Sequence, residues 1–198
     1  DFEQCEAEYP ELCKAYSNYV AEKKKNREGV PRHRTITIEE IQATDDMWTI
    51  NEPMYWTINI YGSYDDYLES GKPFTLEQRY LNAICWYFAE VNNGGHHQFL
   101  YNSTGIVWED ALAGLRLFKM DELADNLQSL IDYFGGSVPF DRAERWTILQ
   151  DWENEEKLFD FLDKKDDVVY EYDGIYEDTF VYEHPELFVF DGTYKVRE

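Results

Sequence analysis

The chain has 198 residues, with 41 Asp and Glu against 18 Lys and Arg, a formal net charge of −23. One carboxylate in every five residues excludes ordinary nucleic-acid binding, which rests on Lys and Arg contacts to phosphate. A hydrophobic fraction of 43% and an aromatic fraction of 17% exclude a disordered acidic tail, which is poor in aromatics.

The length fits one domain with a real core. Cys5, Cys13 and Cys85 are odd in number and make no disulfide framework, so reduced thiols and a cytoplasmic location are expected. The longest apolar run, Ala83 to Ala89, is far too short to span a membrane. The chain begins with Asp1 and not Met, so its start says nothing about a leader segment.

The first helix is expected to open at Pro10, a residue suited to a first turn, and to end before Gly29. Leu12, Tyr16, Tyr19 and Val20 lie along it. Lys23, Lys24, Lys25, Arg27, Arg32 and Arg34 form a basic island whose first part complements the helix dipole. From Thr35 to Gly71 there is no Lys or Arg, while acids accumulate. Thr75-Leu-Glu-Gln78 is a capping box, and the helix after it carries Leu76, Tyr80, Ile84, Phe88 and Val91 at helical spacing. Asn92-Asn93-Gly94-Gly95 ends it, glycine supplying the left-handed conformation.

Trp108 to Phe118 and Leu123 to Phe134 mark two more helices, the second closed by Gly135-Gly136. Phe140 to Leu149 and Glu153 to Leu162 read as shorter ones. Asp-Gly pairs at 173–174 and 191–192 are hairpin signals. The reading favours a helix over Ile175 to Glu183 and leaves a terminal hairpin open around Asp191-Gly192. The expected fold is all-α, a single compact multi-helix domain with at most a short β-hairpin near the C-terminus. Its expected parts are an N-terminal helical region over 1–74 packed on the core, a helical domain over 75–190 and a tail over 191–198. Residues 151–198 carry 16 acids against five bases, so nearly half the net charge lies in the last quarter.

No catalytic constellation stands out. There is no Gly-rich phosphate loop and no nucleophile elbow. His96 and His97 are adjacent and point about 100° apart on a helix, a poor arrangement for one metal. Paired acids such as Asp45-Asp46, Asp65-Asp66 and Asp166-Asp167 are expected by chance among 41 carboxylates. The distinctive stretch runs from Glu90 to Gly105. Asn93, Gln98, Asn102 and Ser103 cluster there around a helix end, and their side chains can satisfy free backbone groups at helix termini. The block reads as a structural latch between helices; a polar binding site is the sharper alternative.

Asn93-Gly94-Gly95, then Gln98, Asn102-Ser103 and Gly105 resemble the signature of a bacterial domain family of unknown function. One member of that family is a DNA-mimic protein that binds a transcription regulator. The likeness continues from Leu76 to about Phe188, through Ala111-Leu112-Ala113-Gly114-Leu115 and His184-Pro185-Glu186-Leu187-Phe188. At the residue after the glycine pair the family usually carries an apolar or aromatic side chain, and this chain has His96.

The resemblance implies an all-α fold and surface acids standing in for phosphates. Asp163, Asp166, Asp167, Glu171, Asp173, Glu177 and Asp178 are dense enough in sequence to form such a surface, with Tyr170, Tyr172, Tyr176 and Tyr182 interleaved. A solvated face that only keeps the chain soluble is the simpler reading of the same acids.

The expected function is therefore non-enzymatic: an acidic protein binding a basic partner, such as a DNA-binding regulator that it engages as a DNA mimic. An immunity or antitoxin protein blocking a basic nuclease is the alternative. A ligand- or metal-binding enzyme centred on Asn93, His96, His97, Gln98 and Asn102 is a third. No cofactor, metal, direct nucleic-acid contact or membrane association is expected; a homodimer remains open.

Overall fold

The computed structural model describes residues 9–152, 156–172 and 176–197. Two compact units partition the chain: residues 1–35 with 191–198, and residues 36–190.

In the first unit, α1 (Pro10–Glu28) begins on the expected proline and stops at Gly29. Gly29 has φ +70°, and a Cβ there would stand 3.0 Å from the Val196 carbonyl oxygen, so glycine is required. Strand β1 (Val30–Ile36) follows and pairs with β2 (Phe190–Val196) in a two-stranded sheet. The Thr35 hydroxyl donates to Asp191 Oδ1 at 3.0 Å, and His33 Nδ1 lies 3.3 Å from Thr193 Oγ1. Higher numbers on one strand meet lower numbers on the other, so the pair is antiparallel. A strand therefore forms at the C-terminus as the Asp-Gly signal suggested, but Asp191-Gly192 lies inside it and makes no turn. Its partner is β1, about 160 residues earlier; long-range pairing has overridden the local turn signal.

In the second unit the elements are α2 (Ile38–Ala43), α3 (Trp48–Thr57), α4 (Tyr64–Gly71), α5 (Leu76–Tyr101), a 3-10 turn (Ser103–Val107), α6 (Trp108–Leu117), α7 (Asp121–Tyr133), α8 (Arg142–Trp152), α9 (Glu156–Tyr170), α10 (Tyr176–Glu183) and a second 3-10 turn (Pro185–Leu187). Among the described residues the fold is all-α apart from one strand pair. Both halves of the Thr75 capping box are made: Gln78 N–H donates to Thr75 Oγ1 at 3.1 Å, and Thr75 N–H to Gln78 Oε1 at 2.9 Å.

Helix α5 is the centre of the core and packs against α3, α6, α8 and α9. Leu81, Ile84, Tyr87 and Val91 are its fully buried side chains; of the expected stripe Ile84 and Val91 are buried, Tyr80 and Phe88 half-buried and Leu76 exposed. Helix α6 can approach α5 closely because Gly114 has no side chain; a Cβ there would lie 2.9 Å from Tyr80 Cβ. Gly135 and Gly136 both take positive φ after α7, and Gly136 N–H donates to the Ile131 carbonyl at 3.0 Å. Each large side chain so buried contributes about 1.5–3 kcal/mol relative to exposure. No described helix is long and apolar enough to cross a membrane.

Candidate functional site

The helix beginning at Thr75 leaves helical geometry at Gly94 and Gly95, as the sequence suggests, but it resumes at once and continues to Tyr101. Gly95 has φ +74° and ψ 179°. That is an extended conformation open essentially only to glycine, not the left-handed helical cap. A Cβ on Gly95 would overlap the Asp166 carboxylate, and one on Gly94 would overlap the Gln98 side chain. Both glycines thus make room for side chains that cross the break.

Glu90 is the hub of that crossing. Its Oε2 accepts from Gln98 Nε2 at 2.7 Å and from Asn102 Nδ2 at 2.8 Å, and its Oε1 accepts from the Thr104 hydroxyl at 3.0 Å. Three neutral donors on one carboxylate tie the turn before the break to the helix end after it. Such charged hydrogen bonds are stronger than neutral ones.

His96 is fully buried. Its Nδ1 lies 2.5 Å from Asp166 Oδ1, and its backbone N–H donates to the same oxygen at 2.8 Å. A carboxylate accepts, so Nδ1 carries the proton of that bond, and on the other side of the ring Nε2 shares a hydrogen bond with the Tyr87 hydroxyl at 2.8 Å. Asp166 therefore caps the helical turn resuming at His96, from a different helix. Burial pushes the Tyr87 phenol far above its ordinary value.

At the other end of this turn, α8 supplies the cap. Arg145 is buried and meets carbonyls alone: Leu100 at 2.7 Å, Asn102 at 2.8 Å, Phe140 at 2.6 Å and Pro139 at 3.1 Å. Burial first, and Arg142 second, pull its guanidinium down to about 10, so it stays charged at neutral pH. The cation sits where a helix C-terminus is most negative. A Cβ on Gly105 would come within 2.7 Å of Arg145 Nε, which accounts for the last glycine of the signature. Arg142 Nε and Trp146 Nε1 both donate to the Tyr101 carbonyl, at 3.0 and 2.6 Å.

Of the signature residues, Gly94, Gly95, Gln98, Asn102 and Gly105 serve this latch; Asn93 is exposed and Ser103 half-buried. The third reading drew on the same groups, and the amide nitrogens of Gln98 and Asn102 and both ring nitrogens of His96 are hydrogen-bonded inside the protein. His97 stacks on Tyr101 at 5.8 Å between ring centres. No cluster of three or more metal-ligating side chains occurs among the described residues.

The acids singled out near the C-terminus divide. Asp163, Asp167 and Glu171 are exposed. Asp166 turns inward to His96, its side chain 14% exposed. Asp173 and the side chains of Glu177 and Asp178 lie outside the described residues. At 3.6 residues per turn, Asp160, Asp163, Asp167 and Glu171 share the outer face of α9 and its end, while Leu158, Leu162 and Val169 are buried opposite. Lys164 is exposed on that outer face too. Tyr170 is 51% exposed beside it. Its phenol is raised, chiefly by partial desolvation and then by Asp166, Asp167 and Asp163.

Sequence reasoning missed Arg145 and the hub role of Glu90.

Residues 72–184 match the family model of the DMP19-like proteins. The chain belongs to that family. No curated protein and no solved structure matches it. The matched stretch contains the whole latch from Glu90 to Arg145 and the acidic face of α9; α1 and the strand pair lie outside it.

Proposed function

We propose that this chain is a non-enzymatic interaction protein that presents carboxylates to the Lys and Arg surface of a DNA-binding protein, acting as a DNA mimic. Membership of the DMP19-like family supports this reading. The observation that carries it is the outer face of α9. Asp160, Asp163, Asp167 and Glu171 are exposed there, and none of them has an ion pair among the described residues.

Four carboxylates over this stretch amount to about one per 5 Å of helix axis. One DNA strand carries a phosphate per about 3.4 Å. The face is thus somewhat sparser than a DNA strand, and the surrounding unit makes up the field. All of the net charge belongs to residues 36–190, which hold 32 acids and nine bases, whereas nine acids and nine bases cancel in the other unit. Such a field gives fast, salt-sensitive association with a basic partner. The exposed Tyr170 offers the aromatic contact that interfaces favour.

The test is capture of DNA-binding proteins on the immobilised chain at low and high salt, followed by elution with duplex DNA. Retention at low salt and displacement by duplex support mimicry. A basic nuclease as the retained species supports the immunity reading instead. Nothing retained at low salt, or retention that duplex cannot displace, rejects mimicry.

A further inference from the structure

Tyr87 and His96 are both fully buried, one on each side of the break in α5. The Tyr87 hydroxyl lies 2.8 Å from His96 Nε2, and His96 Nδ1 lies 2.5 Å from Asp166 Oδ1. Capping the resumed helix needs only the backbone N–H of His96, which reaches the same Asp166 oxygen at 2.8 Å. The two ring-nitrogen bonds are thus more than the latch requires, and buried polar side chains are costly to place.

The three groups lie in one line of proton transfer. Asp166 accepts from Nδ1, so a neutral ring presents the lone pair of Nε2 to the phenol. Other described phenols meet weaker bases. Tyr67 and Tyr64 donate to the Asp110 and Glu109 carboxylates, and Tyr182 donates to the Thr44 carbonyl. An imidazole is more basic than a carboxylate by about two units. Arg79 also pairs with Asp110 and weakens it further as a base.

Burial treats the proton and the electron of Tyr87 differently. Burial raises the phenol, so in the resting protein its proton stays in place. An electron can tunnel out of a packed core, whereas a proton moves only to an acceptor within hydrogen-bond reach. His96 Nε2 is such an acceptor. Asp166 is placed to stabilise the imidazolium that receives the proton, as the aspartate of a Ser-His-Asp triad does. Phe99 and Phe88 pack against Tyr87 at 5.3 and 5.7 Å between ring centres and shield it from encounters with solutes.

We propose that Tyr87 is a site of reversible one-electron oxidation, with His96 as its proton acceptor and Asp166 as the counter-charge. A strong one-electron oxidant at the surface takes the electron from the phenol. The Oη–H bond breaks, the proton moves to Nε2, and a neutral tyrosyl radical remains beside an imidazolium–carboxylate pair. Returning one electron reverses the step, and Nε2 gives the proton back. The proposal does not depend on the function proposed above, and its test contains no other protein.

The full chain is oxidised by flash photolysis with a ruthenium polypyridyl complex and persulfate. Absorbance and electron paramagnetic resonance follow the products. The expected species is a neutral tyrosyl radical that outlives those of exposed tyrosines and couples magnetically to isotope-labelled histidine nitrogen. Tyr87→Phe removes the long-lived signal. His96→Phe makes it form about a hundredfold more slowly, since the positioned base is gone. Asp166→Asn shortens its lifetime by a smaller factor, because the amide oxygen still accepts from Nδ1 but carries no charge. Circular dichroism beside each variant checks that the helices are in place. A long-lived signal that survives Tyr87→Phe overturns the proposal. So does a wild-type chain with no long-lived radical, or with one uncoupled to histidine nitrogen. A nitrogen NMR spectrum of the wild-type chain in which His96 Nε2 already carries a proton before oxidation overturns it as well. These wild-type measurements decide the matter even where a variant fails to fold.

Discussion

Glu90 and Asp166 have the same chemistry as Asp163 and Asp167, yet the two sets act in opposite ways. In the latch each carboxylate is surrounded by donors: three side chains for Glu90, and a ring nitrogen and a backbone N–H for Asp166. On the outer face of α9 the carboxylates meet water. The difference is one of helical phase. Asp166 and Asp167 are neighbours in sequence and point about 100° apart, so one faces the core and the other the solvent. Composition cannot distinguish them. A substitution that only removes charge should therefore destabilise the first region and leave the second folded.

The largest effect is expected at Gly95→Ala. The position has φ +74°, and a Cβ would overlap the Asp166 carboxylate. Backbone strain and the displaced cap should together cost about 3 kcal/mol or more. Denaturant midpoints measure it; a loss below about 1 kcal/mol would mean that the break at 94–95 is not a fixed feature. Glu90→Ala comes next. It strands the donors of Gln98, Asn102 and Thr104, at about 2–3 kcal/mol, whereas Glu90→Gln should recover part of the loss. Equal losses for the two variants would count against a hub built on acceptors.

The latch and its neighbours also set an alkaline limit. Burial raises the phenols of Tyr87 and Tyr67, and burial with the Glu109 bond pushes Tyr64 up to about 12 from 10.0. Above pH 10 the unfolded chain releases phenolic protons that the folded chain keeps. Stability contributed by these groups is thus fully present below pH 10 and is lost as pH rises toward 12 and beyond. Phenolate absorbance and circular dichroism, followed together, should show the buried phenols ionising only as the fold is lost. Ionisation of all sixteen tyrosines near pH 10 with the helices intact would contradict it.

What could be read from the residues was local. Thr75 and Gln78 announce their helix start because the capping box is built within four residues. Gly94-Gly95 announces the break, though not that the chain resumes helix at once, since that depends on Asp166 reaching in from α9. Strand β1 was not legible: Val30-Pro-Arg-His-Arg-Thr-Ile36 lacks an alternating pattern, and its partner comes about 160 residues later. Arg145 was not legible either. A charged residue in a helix usually faces solvent, and only the free carbonyls at Leu100 and Asn102 explain its burial.

The smallest effect on folding, and the largest on binding, belongs to the outer face of α9. Asp163→Asn with Asp167→Asn removes two charges that no described side chain pairs with, so stability should change by less than about 0.5 kcal/mol per site. A slight gain is even expected, since each removal relieves repulsion among the four carboxylates of that face. Asp166→Asn, one residue away, removes a charge too, but it weakens the bond to His96 and should cost about 1–2 kcal/mol. Binding should sort these variants the other way. The double substitution slows association with a basic partner and flattens its salt dependence, while Asp166→Asn leaves the salt dependence of the folded fraction nearly unchanged. Lys164→Glu, which extends the same exposed face, should speed association. Association rates at two salt concentrations, measured beside denaturant midpoints, separate the roles. If the double variant binds like wild type, the outer face of α9 is solvated surface only, and the partner reads carboxylates elsewhere on the acidic unit.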